Sequence, residues 1–269
     1  MSQHQDELSE PVAPQSGVIP DSHVIEINAS ARWRDTLLAI AGLAIVIQIA
    51  SLFTPAYILP GWGDIWQSLL NLRPADLTLT IIRVFVSMLF SFVAGSLLGI
   101  AAYSVIGVDR YVVPIVRVLM AVPAVSWVII TILWFRNPET RIFFVLVTVS
   151  APIFMLDVLD GLRSVDRDLR DMLRSFRPTR RQYYMKLMLP SVVPVVLTSW
   201  KINLSLAIRV VTFAELVGAV SGIGFALNQA KNLFRISDVF ALTIVLVVWL
   251  IAMQGIVLWF EKRLLRWRD

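Results

Sequence analysis

About six apolar runs, each close to the length that crosses a bilayer as a helix, leave this chain few folds to choose from. They occupy residues 37–53, 77–103, 112–135, 142–159, 192–211 and 239–260. A bilayer core needs roughly 20 apolar residues per helix. Lipid offers no partner to backbone N–H and C=O groups, so a spanning helix must satisfy them internally. The predicted fold is therefore all-α, a polytopic transmembrane bundle of about six spans. Composition agrees: 57% of the residues are apolar and 16% charged, against about half and a quarter in soluble chains. Pro123 falls inside the third run and predicts a kink there, tolerable among neighbouring helices. Pro55, Pro60, Gly61, Trp62 and Gly63 mark an interfacial turn after the first run, and 65–72 reads as a short surface helix.

The residue inventory excludes several chemistries. The chain has no cysteine, which removes disulfides, thiolate catalysis and cysteine-bound metals. Its two histidines, His4 and His23, lie in a polar N-terminal segment. No catalytic and no metal-ligating residue is assigned. Residues 1–31 are rich in Pro, Ser, Asp and Glu and read as a disordered tail; they do not resemble a cleavable signal. The first run follows Arg32 and Arg34 and reads as a retained anchor opening the membrane domain, 32–269. The net charge of +5 comes from basic residues flanking apolar runs. Lipid headgroups, and not nucleic acid, are the partner this implies.

Orientation follows from where Lys and Arg collect. The connection after the fourth run carries Arg163, Arg167, Arg170, Arg174, Arg177, Arg180, Arg181 and Lys186, and the C-terminal tail carries Lys262, Arg263, Arg266 and Arg268. The connection after the first run has only Arg73, and that after the third only Arg136 and Arg141. With six spans, this bias places both termini and the 166–189 loop in the cytoplasm.

That loop, about 164–190, is the most informative segment. Leu169, Met172, Leu173 and Phe176 recur at helical spacing and form one apolar face. Pro178 stops that helix, because it lacks a backbone donor and disfavours helical geometry at Arg177. Thr179 and Gln182 then have the spacing of a capping box. The prediction is a short helix, a sharp turn, and a second short helix to Leu189 that re-enters the membrane near Pro190. An amphipathic pair of this kind either rests on headgroups or docks into a groove of a cytoplasmic partner.

The loop resembles the coupling loop of bacterial ABC-importer permeases: Glu-Ala-Ala, three residues, Gly, nine residues, then a hydrophobic residue, any residue, and Leu-Pro. Leu187, Leu189 and Pro190 match the end of that pattern, and Asp171 falls at the Glu position. Met172 and Leu173 replace the alanines, and Arg177 replaces the glycine, with Pro178 read as supplying the turn. Residues 77–269 are similar to permeases of the nitrate, taurine and aliphatic-sulfonate type, with Lys201, Arg209, Ala214-Glu215 and Ser221-Gly222-x-Gly224 in the matching order. The resemblance implies a type I ABC-importer permease fold in a bacterial inner membrane. It also implies a second permease copy, a cytoplasmic ABC ATPase dimer holding ATP and magnesium, and an extracytoplasmic substrate-binding protein. The sequence supports one part by itself: a phosphate-binding loop needs Gly-Lys, and no such pair occurs. This chain is thus expected to bind no nucleotide cofactor and to be a transporter subunit, not an enzyme.

Charges inside the runs call for partners or a cavity, since each costs several kcal/mol at membrane depth. Lys201, Arg209, Glu215 and Ser221 are candidates for the substrate pathway, with Lys201 placed near mid-membrane and a small anion as solute. The competing structural reading pairs Arg209 with Glu215 and lets Arg83 snorkel outward. Gly218, Gly222 and Gly224 predict a bend or re-entrant turn on the outer side, serving as a gate, a docking platform or a plain loop. Other readings of the whole chain are a permease for a pyrimidine-type vitamin precursor, an ATPase-independent carrier or channel, and a membrane anchor that recruits a cytoplasmic protein.

Overall fold

The computed structural model describes residues 29–55 and 58–264. Of the expected N-terminal tail, 1–31, residues 1–28 lie outside the described residues and 29–31 are helical, the start of α1; Arg266 and Arg268 also lie outside, as do the side chains of Arg32, Arg34, Arg167, Arg174 and Arg180. Among the described residues there are helices and no strands. The chain divides into two units, 1–49 and 50–269. The first expected span lies in α1 (Ala29–Phe53), most of which belongs to the first unit.

The second unit begins with α2 (Trp62–Leu70), a short helix with Ile65 buried and Trp66 exposed. Helices α3 (Pro74–Ser104), α6 (Pro138–Arg163), α9 (Leu189–Gly218) and α11 (Ile236–Leu264) are each long and apolar enough to cross a membrane. α3 and α6 run parallel and touch at backbone distance. A Cβ on Gly95 would lie 2.9 Å from Phe154 Cβ, and one on Gly99 would lie 2.7 Å from the Met155 carbonyl. Any larger side chain at these two positions would force the pair apart. α9 runs antiparallel to α6: Gly161 packs on Val192 and Val195 at one end, and Arg141 donates to the Gly218 carbonyl at 3.2 Å at the other.

The third expected span differs from prediction. Instead of one kinked helix, α4 (Val108–Ala121) and α5 (Ala124–Trp134) meet at a 92° bend. Pro123 sits between them as the residue preceding α5. Its fixed φ and missing donor suit a helix start better than a helix interior. At 1.5 Å per residue, neither piece reaches the roughly 30 Å of a bilayer core. Taken together as one broken span, the bent pair would bring the second unit to five helices or pairs long and apolar enough to cross, four of them unbroken.

The main core gathers Val84, Met88, Leu146, Phe154, Leu204, Val211 and Trp249 from α3, α6, α9 and α11. Phe154 stacks edgewise on Phe92 and tilts against Trp200. Many large apolar side chains outside this core are exposed, Leu97, Leu133 and Ile251 among them, as lipid-facing positions must be.

Candidate functional site

The α6–α9 connection forms a folded lever. α7 (Arg167–Ser175) is followed by a turn and then by α8 (Arg180–Tyr183). The capping box is reciprocal: Thr179 N–H donates to Gln182 Oε1 at 2.9 Å, and Gln182 N–H to Thr179 Oγ1 at 3.3 Å. The apolar face of α7 is divided. Leu173 packs inward on a cluster of Val158, Leu162, Val165, Leu187, Met188 and Val192. Leu169, Met172 and Phe176 stay 45%, 57% and 75% exposed. Asp171, Arg177 and Leu189 are also exposed, and Pro178 and Pro190 half-buried. Leu187 therefore belongs to the base of the lever, and three apolar side chains form its free face.

Two details correct the expectation. Arg177 itself adopts the left-handed conformation, with φ +47°, so the turn is made at the position of the family glycine and not supplied by Pro178. The second helix also does not end at Leu189. α8 passes through a π-helical turn (Tyr184–Met188) straight into α9, with Leu189 N–H reaching back to the Tyr184 carbonyl. Pro190 has no N–H and would clash with the carbonyl four residues back. The wider π turn just before it absorbs both problems.

At the opposite end of the bundle a buried polar latch joins α3, α6, α9 and α10 (Ile223–Asn232). Arg83 uses all five of its N–H donors. Nε and Nη2 clasp the two oxygens of Glu139, Nη2 also donates to Ser221 Oγ at 3.0 Å, and Nη1 donates to Glu215 Oε1 at 2.7 Å and to the Ser221 carbonyl at 2.9 Å. Glu215 is fully buried. It also accepts from Thr80 Oγ1 and from Gly224 N–H, each at 2.9 Å. Asp76 and Thr80 accept from Gly222 N–H and Ile223 N–H at 3.0 Å. Helix N-terminal amides ordinarily lack partners inside the helix. Here α3 and α9 supply three acceptors to α10, and the Glu215 carboxylate sits at the positive end of its dipole. Gly222 (φ +104°) and Gly224 are glycines because a Cβ on either would collide with Glu215.

The expected pairing of Arg209 with Glu215 is thus replaced by Arg83 with Glu215, and Arg83 does not snorkel: its side chain is 5% exposed. Fully satisfied donors make burial of this cation tolerable. Ser221 serves the latch through both its hydroxyl and its carbonyl. Lys201 pairs with Glu261 of α11 at 2.7 Å. One step along, Gln254 donates to Ser205 at 2.8 Å. Arg209 stands exposed on α9, and among the described residues nothing accepts from its guanidinium. Next to the latch, a cleft of about 1050 Å³ opens between α2, α10 and α11, lined in part by Asp64, Gln67, Asp76, Ser221, Gln229 and Asp238.

Residues 91–266, well over half of the chain, match the family described as "Binding-protein-dependent transport system inner membrane component". The chain belongs to that family. The region matched holds the lever, Glu215 and the α10 glycines, whereas Arg83, Thr80 and Asp76 precede it. Curated relatives of this inner membrane component carry the names of several solutes, among them nitrate, taurine, bicarbonate and formylaminopyrimidine. It is 29% identical over 171 residues to the nitrate import permease protein NrtB of Leptolyngbya laminosa, covering 63% of this chain and 58% of that protein. It is 26% identical over 235 residues to the taurine transport system permease protein TauC of Escherichia coli K12, covering 77% and 82%. A solved chain of the MetNI methionine ABC transporter, in an inward-facing conformation, superposes with a TM-score of 0.59 at 20% identity over 69% of this chain and 92% of that one. Structural neighbours of this kind are type I ABC-importer permeases, and the fold is theirs.

Reading the sequence of this inner membrane component missed Glu139, Thr80, Asp76 and Glu261. Glu139 follows Asn137, which caps α6 by accepting the Glu139 N–H at 2.8 Å, so it reads as an ordinary first-turn acid. Asp157, inside the fourth run, accepts a hydrogen bond from the buried Ser199 hydroxyl. Its position in an apolar run was the one available signal.

Proposed function

We propose that this chain is the permease subunit of an ATP-driven importer for a small solute bearing an oxyanion group, working with ATPases, a binding protein and a second permease copy. The observation carrying this reading is the lever. Leu169, Met172 and Phe176 project from a short helix whose base, through Leu173 and Leu187, is part of the core below. Force applied to such a face is transmitted into α6 and α9 because packed cores shift as units. The motor lies on another chain, since no Gly-Lys phosphate loop is present here; ATP and magnesium belong to that partner, and this subunit moves solute without transforming it.

The positive-inside bias places the lever and both termini in the cytoplasm of a bacterial cell. The latch and its cleft then face outward, where a solute-loaded binding protein delivers its cargo. Nitrate and taurine, the solutes in the names of two relatives, share a negative charge spread over oxygens, which supports the substrate class.

Co-purification tests this. The chain expressed with its ATPase should leave the membrane as one complex in detergent. A Met172→Glu, Phe176→Glu double variant should insert normally and lose the ATPase. Solute movement by the purified chain alone, or an undiminished complex in the double variant, overturns the assignment.

A further inference from the structure

α3 and α11 both pack on α9 but scarcely touch each other. The gap between them is an apolar slot of about 270 Å³. Met88 of α3, Leu204 of α9 and Trp249 of α11 form its floor and are buried, whereas Phe85, Ile256, Phe260 and Leu264 form its rim and are exposed. The slot is therefore open to the surroundings of the bundle, which for an apolar rim in a membrane means lipid. On α11 it runs from Trp249 to Leu264, about 22 Å at 1.5 Å per residue.

Width decides what can lie there. A helix with its side chains is about 10–12 Å across, so 22 Å of it would fill on the order of 1500 Å³, far more than the slot holds. An extended hydrocarbon chain fits. Charge decides the rest. At the end of the slot Arg263 is exposed, three residues from Phe260, with its guanidinium 5.8 Å from the centre of the Trp259 ring. A tryptophan beside a cation at the end of an apolar helix is the arrangement found at headgroup level. Glu261, the acid of that turn, is already taken by Lys201 at 2.7 Å. Lys262, two residues from both Phe260 and Leu264, projects from the opposite side of α11.

We propose that the slot between α3 and α11 is a binding site for an anionic phospholipid of the inner leaflet, with one acyl chain lying on Met88, Leu204 and Trp249 and the phosphate held by Arg263. The positive-inside bias sets this end of α11 at the cytoplasmic surface, where anionic headgroups attract basic residues that flank a span. The planar fork of arginine matches a phosphate with two parallel hydrogen bonds. A chain seated in the slot also supplies the contact that α3 and α11 do not make with each other, so the lipid packs as part of the bundle. The site stands apart from the importer reading and does not depend on it.

The test uses the full chain in detergent, titrated with phosphatidylglycerol or with phosphatidylcholine of the same acyl chains, and counts retained lipids by native mass spectrometry. One phosphatidylglycerol should bind about fivefold more tightly than phosphatidylcholine, the preference expected from one basic residue at the headgroup. Arg263→Gln should bring the two lipids level, Arg263→Lys should keep most of the preference, and Lys262→Gln should leave it intact. Met253→Trp should fill the slot and abolish retention of both lipids, and Ile256→Trp at the rim serves if that variant folds poorly. Glycerol phosphate, the head without its chains, should not displace the lipid. Equal binding of the two lipids by the natural chain, a preference that survives Arg263→Gln or is lost with Lys262→Gln, undiminished retention in both slot-filling variants, or displacement by glycerol phosphate each overturns the proposal. Because the chain has no cysteine of its own, a disulfide formed in membranes between two Ile256→Cys copies, or between Ile256→Cys and a cysteine placed in α1, would show protein in the slot and overturn it too.

Discussion

Arg83 and Glu215 form an ion pair at 2.7 Å, with side chains 5% and 0% exposed, although 132 residues separate them in sequence. Burial makes the pair indispensable as a pair. Removing one partner leaves the other charged and desolvated, which costs about 3–5 kcal/mol in comparable sites. Arg83→Met should therefore lower the detergent melting temperature sharply. The Arg83→Met, Glu215→Met double variant should lose much less than the sum of the two singles. Glu139 is 55% exposed in the same cluster, so Glu139→Gln should cost no more than about 1 kcal/mol. Equal losses for Glu139→Gln and Arg83→Met would contradict this ordering.

The glycines beside that pair make a second test. A Cβ on Gly224 would stand 2.6 Å from Glu215 Cβ and 2.9 Å from Leu216 N, whereas one on Gly255 in α11 would meet nothing within 4 Å. Gly224→Ala must push α10 off its acceptors and should cost about 1–3 kcal/mol, as overpacking does. Gly255→Ala should stabilise by about 0.5–1 kcal/mol, the usual gain from replacing glycine inside a helix. Thermal melts of the two alanine variants in one detergent decide it; similar shifts would argue against the close packing.

The lever shows how far sequence reading reaches. Thr179 and Gln182 were legible as a cap because both partners lie within one turn, where spacing alone fixes geometry. The apolar stripe of α7 was legible too, but not its division: four residues at helical spacing do not reveal that Leu173 meets the core while Leu169, Met172 and Phe176 stay free. The latch was out of reach for a different reason. Arg83, Glu139 and Glu215 sit on three separate helices, and no local pattern tells a buried arginine from one that snorkels. Nor does spacing announce the π turn before Pro190, since every residue in it suits an α-helix.

Arg177 yields a prediction of its own. Its φ of +47° sets Cβ against the backbone at a cost of roughly 1–2 kcal/mol, which glycine escapes. Arg177→Gly should therefore slow hydrogen exchange in α7 and α8 while ATPase association persists. Arg177→Ile, branched at Cβ, should speed exchange and weaken association. Faster exchange in the glycine variant would mean that the arginine side chain, and not the backbone turn, holds the lever together.

Lys201 and Glu261 join α9 to α11 at 2.7 Å with side chains 26% and 23% exposed. A partly exposed pair of this sort contributes about 1 kcal/mol, well below the buried latch. Lys201→Met should thus lower the melting temperature slightly and leave uptake by the assembled importer near normal. The charge-reversed pair, Lys201→Glu with Glu261→Lys, should recover the lost stability, because the contact depends on opposite signs and not on which helix carries which. Thermal melts and solute uptake measured on the same preparations separate the roles. Uptake lost at an unchanged melting temperature would return Lys201 to the solute's path, and a charge-reversed variant no better than the single substitution would show that the ion pair is not what joins the two helices.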